Sequence, residues 1–175
     1  MVKLRRCLVG GTFDRFHSGH QALLTAALEV AELVEVWITN DEISTAKSPF
    51  IQSFEDRREA ILDWANKRIT THELTDSMGP APFRADCDSI VCTPETLPTC
   101  NSINEKRLQN MLTPLEIVEV PHFLDESGGI LSSSKIRAGT VDRNGKVWLS
   151  QDEKETTYHF HSDLDEELKR PLGEL

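Results

Sequence analysis

Eleven residues near the start of the chain, Gly10-Gly11-Thr12-Phe13-Asp14-Arg15-Phe16-His17-Ser18-Gly19-His20, gather the types needed to hold polyphosphate. The adjacent glycines follow the apolar run Cys7-Leu8-Val9 and, lacking a Cβ, let a ligand come close to the backbone. His17 and His20 flank a Ser-Gly step just ahead of the apolar-periodic stretch Ala22–Leu33, which puts them at or near a helix N-terminus. There the free N–H groups and the positive end of the helix dipole favour anions. The chemistry implied is the binding of a nucleotide's phosphates. A dinucleotide fingerprint would need Gly-x-Gly-x-x-Gly, and adjacent glycines without a third at the right step do not make it. An ordinary strand–turn–helix connection would need neither the two histidines nor the Thr and Asp beside them.

The elements that must position these residues alternate in type. Leu4–Val9 reads as a buried strand, and Gln21–Glu32 as a helix with Leu23, Leu24, Ala27, Leu28 and Ala31 on its apolar face. Leu33–Thr39 is a second strand, Phe54–Lys67 a helix on Ile61, Leu62 and Ala65, and Ile69–Leu74 a short third strand. Ser44–Ser48 reads as a polar loop carrying Lys47, and Met78-Gly79-Pro80-Ala81-Pro82 as a loop that no regular element can continue. Ser89–Cys92 is a further strand, a helical stretch runs from Thr96 through Met111, and Leu115–Val120 is the next strand. Ser132–Arg137 opens another helix, with serines suited to its N-cap. Such alternation predicts an α/β fold: a Rossmann-like, doubly wound parallel sheet of about five strands, with ligands at the carboxyl ends of the strands.

At 175 residues the chain has room for one domain with a substantial core, expected over residues 1–148 and followed by an acidic, partly helical tail over 149–175. The formal charge of −10 argues against a nucleic-acid partner, whose binding is driven by basic surface. It leaves a nucleotide substrate open, because a few Lys and Arg can dominate the field inside a cleft. Much of the excess lies in Gln151–Leu175, with eight acidic residues against three basic ones. Cys7, Cys87, Cys92 and Cys100 form no C-x-x-C pair and read as reduced thiols of a cytoplasmic protein. Lys3, Arg5 and Arg6 precede an apolar stretch that stops at Gly10, too short for a signal peptide, and no run reaches membrane-spanning length. His159 and His161 read as surface residues, and no metal site is expected from the protein's own ligands. The oligomeric state is left open.

The pattern Gly-Thr-Phe-Asp-x-x-His-x-Gly-His resembles a signature of the cytidylyltransferase-like nucleotidyltransferase superfamily. The superfamily's second signature, Ser-Ser-Thr/Ser-x-x-Arg, has its counterpart in Ser132-Ser133-Ser134-Lys135-Ile136-Arg137, about 110 residues further on, with Ser134 where Thr is frequent. Between them, Asp76–Ala81, Ser89–Thr96, Ile103-Asn104-x-x-Arg107 and Pro114–Val120 resemble the archaeal/eukaryotic type of phosphopantetheine adenylyltransferase, as do Leu131–Gly139 and Asp142–Gly145. The likeness covers about residues 5–148.

The resemblance implies adenylyl transfer from ATP to 4′-phosphopantetheine, giving 3′-dephospho-coenzyme A and pyrophosphate in coenzyme A synthesis. It implies His20, His17 and Lys47 as catalytic residues. Gly10, Gly11, Thr12, Phe13, His17, His20, Arg107, Ser132, Ser133, Ser134 and Arg137 would bind ATP, and Thr12 and Lys47 the acceptor phosphate. Magnesium is expected with the triphosphate. Two other readings stay open: a sister enzyme acting on FMN, nicotinamide mononucleotide or glycerol phosphate, and a non-catalytic nucleotide-binding module. Arg57 follows Phe54-Glu55-Asp56 in a family-like pattern, while Arg57 and Arg58 could equally pair with Asp56 and Glu59 on a helix face. Lys135 is a phosphate contact or a solvent-facing helix residue. Asp163–Gly173 faintly resembles the opening of archaeal-type dephospho-coenzyme A kinases, or is a closing helix ended by Pro171.

Overall fold

Five strands, β1 (Leu4–Gly11), β2 (Ala31–Thr39), β3 (Thr70–Leu74), β4 (Ser89–Cys92) and β5 (Glu116–Glu119), pair in parallel in the order β3-β2-β1-β4-β5. They belong to a computed structural model that describes residues 3–66 and 68–148. Five helices connect or follow the strands: α1 (Ser18–Val30), α2 (Asp41–Lys47), α3 (Phe54–Ala65), α4 (Leu97–Gln109) and α5 (Ser133–Arg137). Alternation along β1 divides the core in two. Cys7 and Val9 join Val36 and Ile38 in a cluster with Leu24 and Ala27 of α1 and Ile61 and Ala65 of α3. Leu8 joins Ile90 and Cys92 in a second cluster, with Cys100 and Ile103 of α4. Period-2 side chains point to opposite faces, so these clusters put helices on both sides of the sheet. Burying an aliphatic side chain contributes about 1.5–3 kcal/mol, against about 1 kcal/mol for an N-cap. Packing, more than capping, holds α1 and α3 in place.

The chain leaves β1 toward β2 and β3 on one side and returns to β4 and β5 on the other. The switch therefore falls between β1 and β4, where the carboxyl ends of the strands part and a ligand can enter.

Three boundaries differ from the sequence expectation. β1 runs on through Gly10 and Gly11, which stay in the ladder opposite Trp37 and Ile38. α1 begins at Ser18 and passes into β2 at Ala31 without a loop, so His20 lies inside the first helical turn. The segment expected to be a polar loop is helix α2, with Asn40 Oδ1 accepting from the Ile43 N–H at 2.9 Å and Lys47 in its last turn. Only Ser44 of this seven-residue helix is buried, so no apolar period announces it.

Arg107 is corrected from a phosphate contact to an internal brace. It is 1 % exposed, and its guanidinium donates to the carbonyls of Thr113 (2.8 Å), Ala81 (2.6 Å) and Arg84 (2.7 Å). Buried carbonyls must find donors, and this side chain satisfies three of them. Arg57 has a similar role: fully buried, it donates to Thr12 O at 2.9 Å, Thr39 O at 2.8 Å and the Asp41 carboxylate at 2.9 Å. Arg58 pairs with Glu55 at 3.0 Å. Neither arginine pairs with Asp56 or Glu59 among the described residues. The acidic tail, His159, His161 and the segment Asp163–Gly173 lie outside the described residues. Among those described, no helix is long and apolar enough to cross a membrane.

Arg107→Met should lower stability by about 3 kcal/mol, the scale of losing charge-assisted hydrogen bonds and stranding their acceptors. Urea unfolding measures the loss. In the folded variant, nucleotide affinity should equal that of the unsubstituted chain, and a collapse of that affinity would return Arg107 to the phosphates.

Candidate active site

A cleft of about 800 Å3 opens at the carboxyl ends of the strands, and Gly10, Gly11, Thr12, Phe13, His17, His20, Lys47, Ser132 and Ser133 all line it. Its glycines close β1, and its histidines are placed by the tight turn that follows. Phe13 and Arg15 both occupy the left-handed region, with φ of 56° and 49°. Such residues persist where their surroundings over-determine them. Phe13 is 1 % exposed, and its ring would stand 3.0 Å from a Cβ at position 11, closer than an ordinary packing contact.

The turn delivers His17 to the N-cap of α1, where its Nδ1 accepts from the Gly19 N–H at 3.2 Å. That bond assigns the ring proton to Nε2. A Cβ at position 19 would lie 3.0 Å from the His17 ring, which accounts for the glycine before His20. His20 is held by three rings, stacked with His17 at 3.8 Å and 25° and with Phe16 at 5.8 Å and 15°, and tilted against Phe13 at 5.2 Å. Its Nδ1 is buried and has no hydrogen-bond partner among the described residues. Burial lowers the pKa of His17 to about 4, with Asp14 opposing part of the effect. Burial, followed by the nearby His17, pushes His20 well below 6.5. Both imidazoles are neutral at physiological pH, and each still carries one N–H to donate.

The helix end itself has less to offer a ligand than its sequence suggests. The Ser18 amide donates to Arg143 O at 2.9 Å and the Gly19 amide to His17, so dipole and side chains remain the attractive elements.

Thr12 and Lys47 meet although 35 residues separate them. Lys47 Nζ donates to Thr12 Oγ1 at 3.3 Å, and Thr39 Oγ1 donates to the same oxygen at 3.3 Å. An oxygen that accepts twice has its own hydrogen free for a ligand. Arg57 secures the arrangement by holding the carbonyls of Thr12 and Thr39.

Each serine of the second motif has a distinct contact. Ser132 Oγ caps α5 by accepting from Lys135 N at 3.4 Å, and Ser133 Oγ donates to Asp14 O at 2.6 Å. Ser134 Oγ accepts from Arg137 Nη2 at 3.1 Å. Arg137 is ion-paired with Asp14, and neither Ser134 nor Arg137 lines the main cleft. Lys135 pairs at 2.5 Å with the buried Asp125 carboxylate and fastens the 122–131 hairpin to α5.

Sequence reasoning assigned no role to several lining residues that follow strand ends: Thr75–Met78 after β3, Thr93 and Thr96 after β4, and Pro121–Phe123 after β5. The rule that ligands sit beyond carboxyl ends would have found them. Asp76 and Glu95 are the carboxylates of the lining, and no group of three metal-ligating side chains stands together among the described residues. All four cysteines are free and buried, and burial raises the Cys100 thiol to about 12, which keeps it protonated.

The model of the cytidylyltransferase-like family matches residues 8–139. A phosphopantetheine adenylyltransferase of Methanopyrus kandleri is 37% identical over 81% of this chain and 94% of its own length. A bifunctional phosphopantetheine adenylyltransferase/NTP phosphatase of Thermoplasma acidophilum is 35% identical over 79% of this chain and 44% of its own. Among solved structures, a protein of unknown function from Archaeoglobus fulgidus aligns with a TM-score of 0.61 at 24% identity, covering 66% of this chain and 88% of that one.

The histidines set a pH dependence. Their folded pKa values lie below the 6.5 of a free imidazole, so the folded chain binds fewer protons than the unfolded one. The stability they contribute should be complete above about pH 6.5 and should fall as pH drops toward about 4. Imidazole nitrogen NMR checks this: His17 and His20 should show neutral signals at about pH 5.5, where a free histidine is mostly charged.

Proposed function

The chain belongs to the cytidylyltransferase-like family, and on that footing we propose that it transfers the adenylyl group of ATP to 4′-phosphopantetheine, forming 3′-dephospho-coenzyme A and pyrophosphate. The observation that carries the reading is the meeting of Thr12 and Lys47 in the same cleft as His20 and the Ser132–Ser133 loop. One end holds a free hydroxyl hydrogen and an ammonium for an acceptor phosphate. The other holds imidazoles and serines for a nucleotide.

The acceptor needs no activation, because a phosphate monoester is already anionic at neutral pH. Its oxygen attacks the α-phosphorus in line, one P–O bond forms, and the bond to the β-phosphate breaks with its electrons leaving on pyrophosphate. Thr12 and Lys47 orient the nucleophile. His20, stacked with His17 and Phe16, donates to the phosphates where charge shifts in the transition state. Ser132 and Ser133 hold the terminal phosphates. Asp76 and Glu95 lie on different loops, a donor set too sparse for a resident ion but compatible with magnesium carried by the triphosphate's own oxygens. Residues 1–148 form the transferase unit in this reading. Its buried free thiols suit the reducing cytoplasm.

A pyrophosphate-release assay across acceptors tests the proposal. Turnover should require ATP with 4′-phosphopantetheine. Turnover with FMN, nicotinamide mononucleotide or glycerol phosphate in its place would refute the acceptor assignment. His20→Ala should reduce kcat by roughly 10²–10³-fold, the effect of losing one transition-state donor. Lys47→Ala should raise KM for 4′-phosphopantetheine about tenfold and leave KM for ATP nearly unchanged. A change confined to ATP would reassign Lys47.

A further inference from the structure

The motif Asp142-Arg143-x-Gly145 lies outside the main cleft and has no part in the chemistry described so far. It forms a tight turn closed by one carboxylate. Asp142 Oδ1 accepts from the Asn144 amide at 2.8 Å and from the Lys146 amide at 2.9 Å. The Asp142 N–H donates to Lys146 O at 2.8 Å, and Val141 bridges to Val147 at the base of the turn. Gly145 has φ 85°, and a Cβ there would stand 3.1 Å from Asp125 Cα, so both conformation and close approach call for glycine.

The turn grips two elements of the site. Arg143 O accepts from the Ser18 N–H at 2.9 Å, and Asn144 Oδ1 accepts from the Ser18 hydroxyl at 3.3 Å, across 126 residues of chain. Ser18 opens α1 directly after His17. The first amides of a helix have no partner inside it, and a helix end left without one frays. Here His17 Nδ1 takes the amide of Gly19 and the turn takes that of Ser18. The His17–His20 ring stack starts from this anchored end. On its other side the turn holds the hairpin before α5: the Glu126 N–H donates to Gly145 O at 2.9 Å, and Glu126 Oε2 accepts from the Val147 N–H at 3.1 Å. Glu126 follows Asp125, whose carboxylate pairs with Lys135 of α5. We infer that Asp142 is a positioning residue: by closing this turn it holds Ser18, and through Ser18 the two imidazoles, in place against the Ser132–Ser133 segment. Its effect is on geometry alone, because none of residues 142–147 lines the cleft. Misplacing a reacting group by about 1 Å can cost roughly 100-fold in rate. The role in turnover rests on the proposed adenylyl transfer, whereas the hold on His17 does not.

Imidazole nitrogen NMR over a pH titration, without substrates, reads this hold. Asp142→Ala removes the acceptor of two amides, and Asp142→Asn keeps an oxygen in its place. In Asp142→Ala the His17 titration should move up from about 4 toward the 6.5 of a free imidazole. Its kcat should fall about tenfold, with KM for 4′-phosphopantetheine unchanged. Asp142→Asn should restore both. A His17 titration in Asp142→Ala equal to that of the unsubstituted chain would overturn the inference. Ser18→Pro cuts the same tether while sparing the helix. Proline is favoured at the first helical position, and His17 before it is already extended at φ −141° and ψ 171°. This variant loses both Ser18 donors and should lower kcat to a similar degree. Adding Asp142→Ala to it should lower kcat no further, since both changes break one connection. Losses that multiply in the double variant would show Asp142 acting by another route and would also overturn the inference. The two levels separate cleanly. A shifted His17 titration without transfer to 4′-phosphopantetheine in the unsubstituted chain rejects only the acceptor, whereas normal transfer with an unmoved His17 in Asp142→Ala rejects only the positioning role.

Discussion

Asp14 is the constraint on which the site depends. It is 2 % exposed, and three of its oxygens are engaged: Oδ1 accepts from the Gln52 amide at 2.9 Å, Oδ2 pairs with Arg137, and its carbonyl accepts from Ser133 Oγ at 2.6 Å. A buried carboxylate without such partners would cost several kcal/mol, and stripping one partner from a buried pair typically costs about 3–5 kcal/mol. The contact to Ser133 joins residues 119 positions apart. The loop after β1 and the start of α5 thereby become two walls of one cleft. Arg57 acts similarly at Thr12, where its grip on Thr12 O and Thr39 O brings two hydroxyls together beside Lys47.

Electrostatics in the cleft are local. A chain of formal charge −10 binds polyanions in this account because donors, more than net charge, line the site. The histidines illustrate the point. Their burial keeps them neutral, so they donate N–H groups without first having to lose a competing carboxylate. Stacking removes their rotational freedom, and a donor already in place need not reorganise as charge develops.

Much of this was legible in the residues. The alternation of strand and helix and the parallel sheet follow from periodicity, the second motif is identified through its resemblance to a known family, and the sheet has the five strands expected. Helix α2 was hidden because one buried residue in seven shows no period, and its caps alone are weak signals. The role of Arg107 is not legible in its motif, because an arginine in a polar-looking segment can serve backbone carbonyls as readily as phosphate, and burial depends on the tertiary fold. Arg137 was read as a phosphate ligand from its place in the motif. That its partner is Asp14 depends on a contact across 123 residues, which spacing cannot reveal. The ion pair of Lys135 is hidden for the same reason, since Asp125 reaches it through a hairpin whose bridge pairs Leu124 with Ile130.

The proposed transfer needs no nucleophile from the protein: the work of the site in that proposal is to align two bound phosphates and neutralise the charge that moves between them. Stereochemistry at the α-phosphorus tests this most directly. With a single diastereomer of adenosine 5′-O-(1-thiotriphosphate) and 4′-phosphopantetheine, direct in-line transfer predicts inversion at phosphorus in the thio-substituted dephospho-coenzyme A. Retention would mean two displacements through an adenylylated side chain, and would contradict the account.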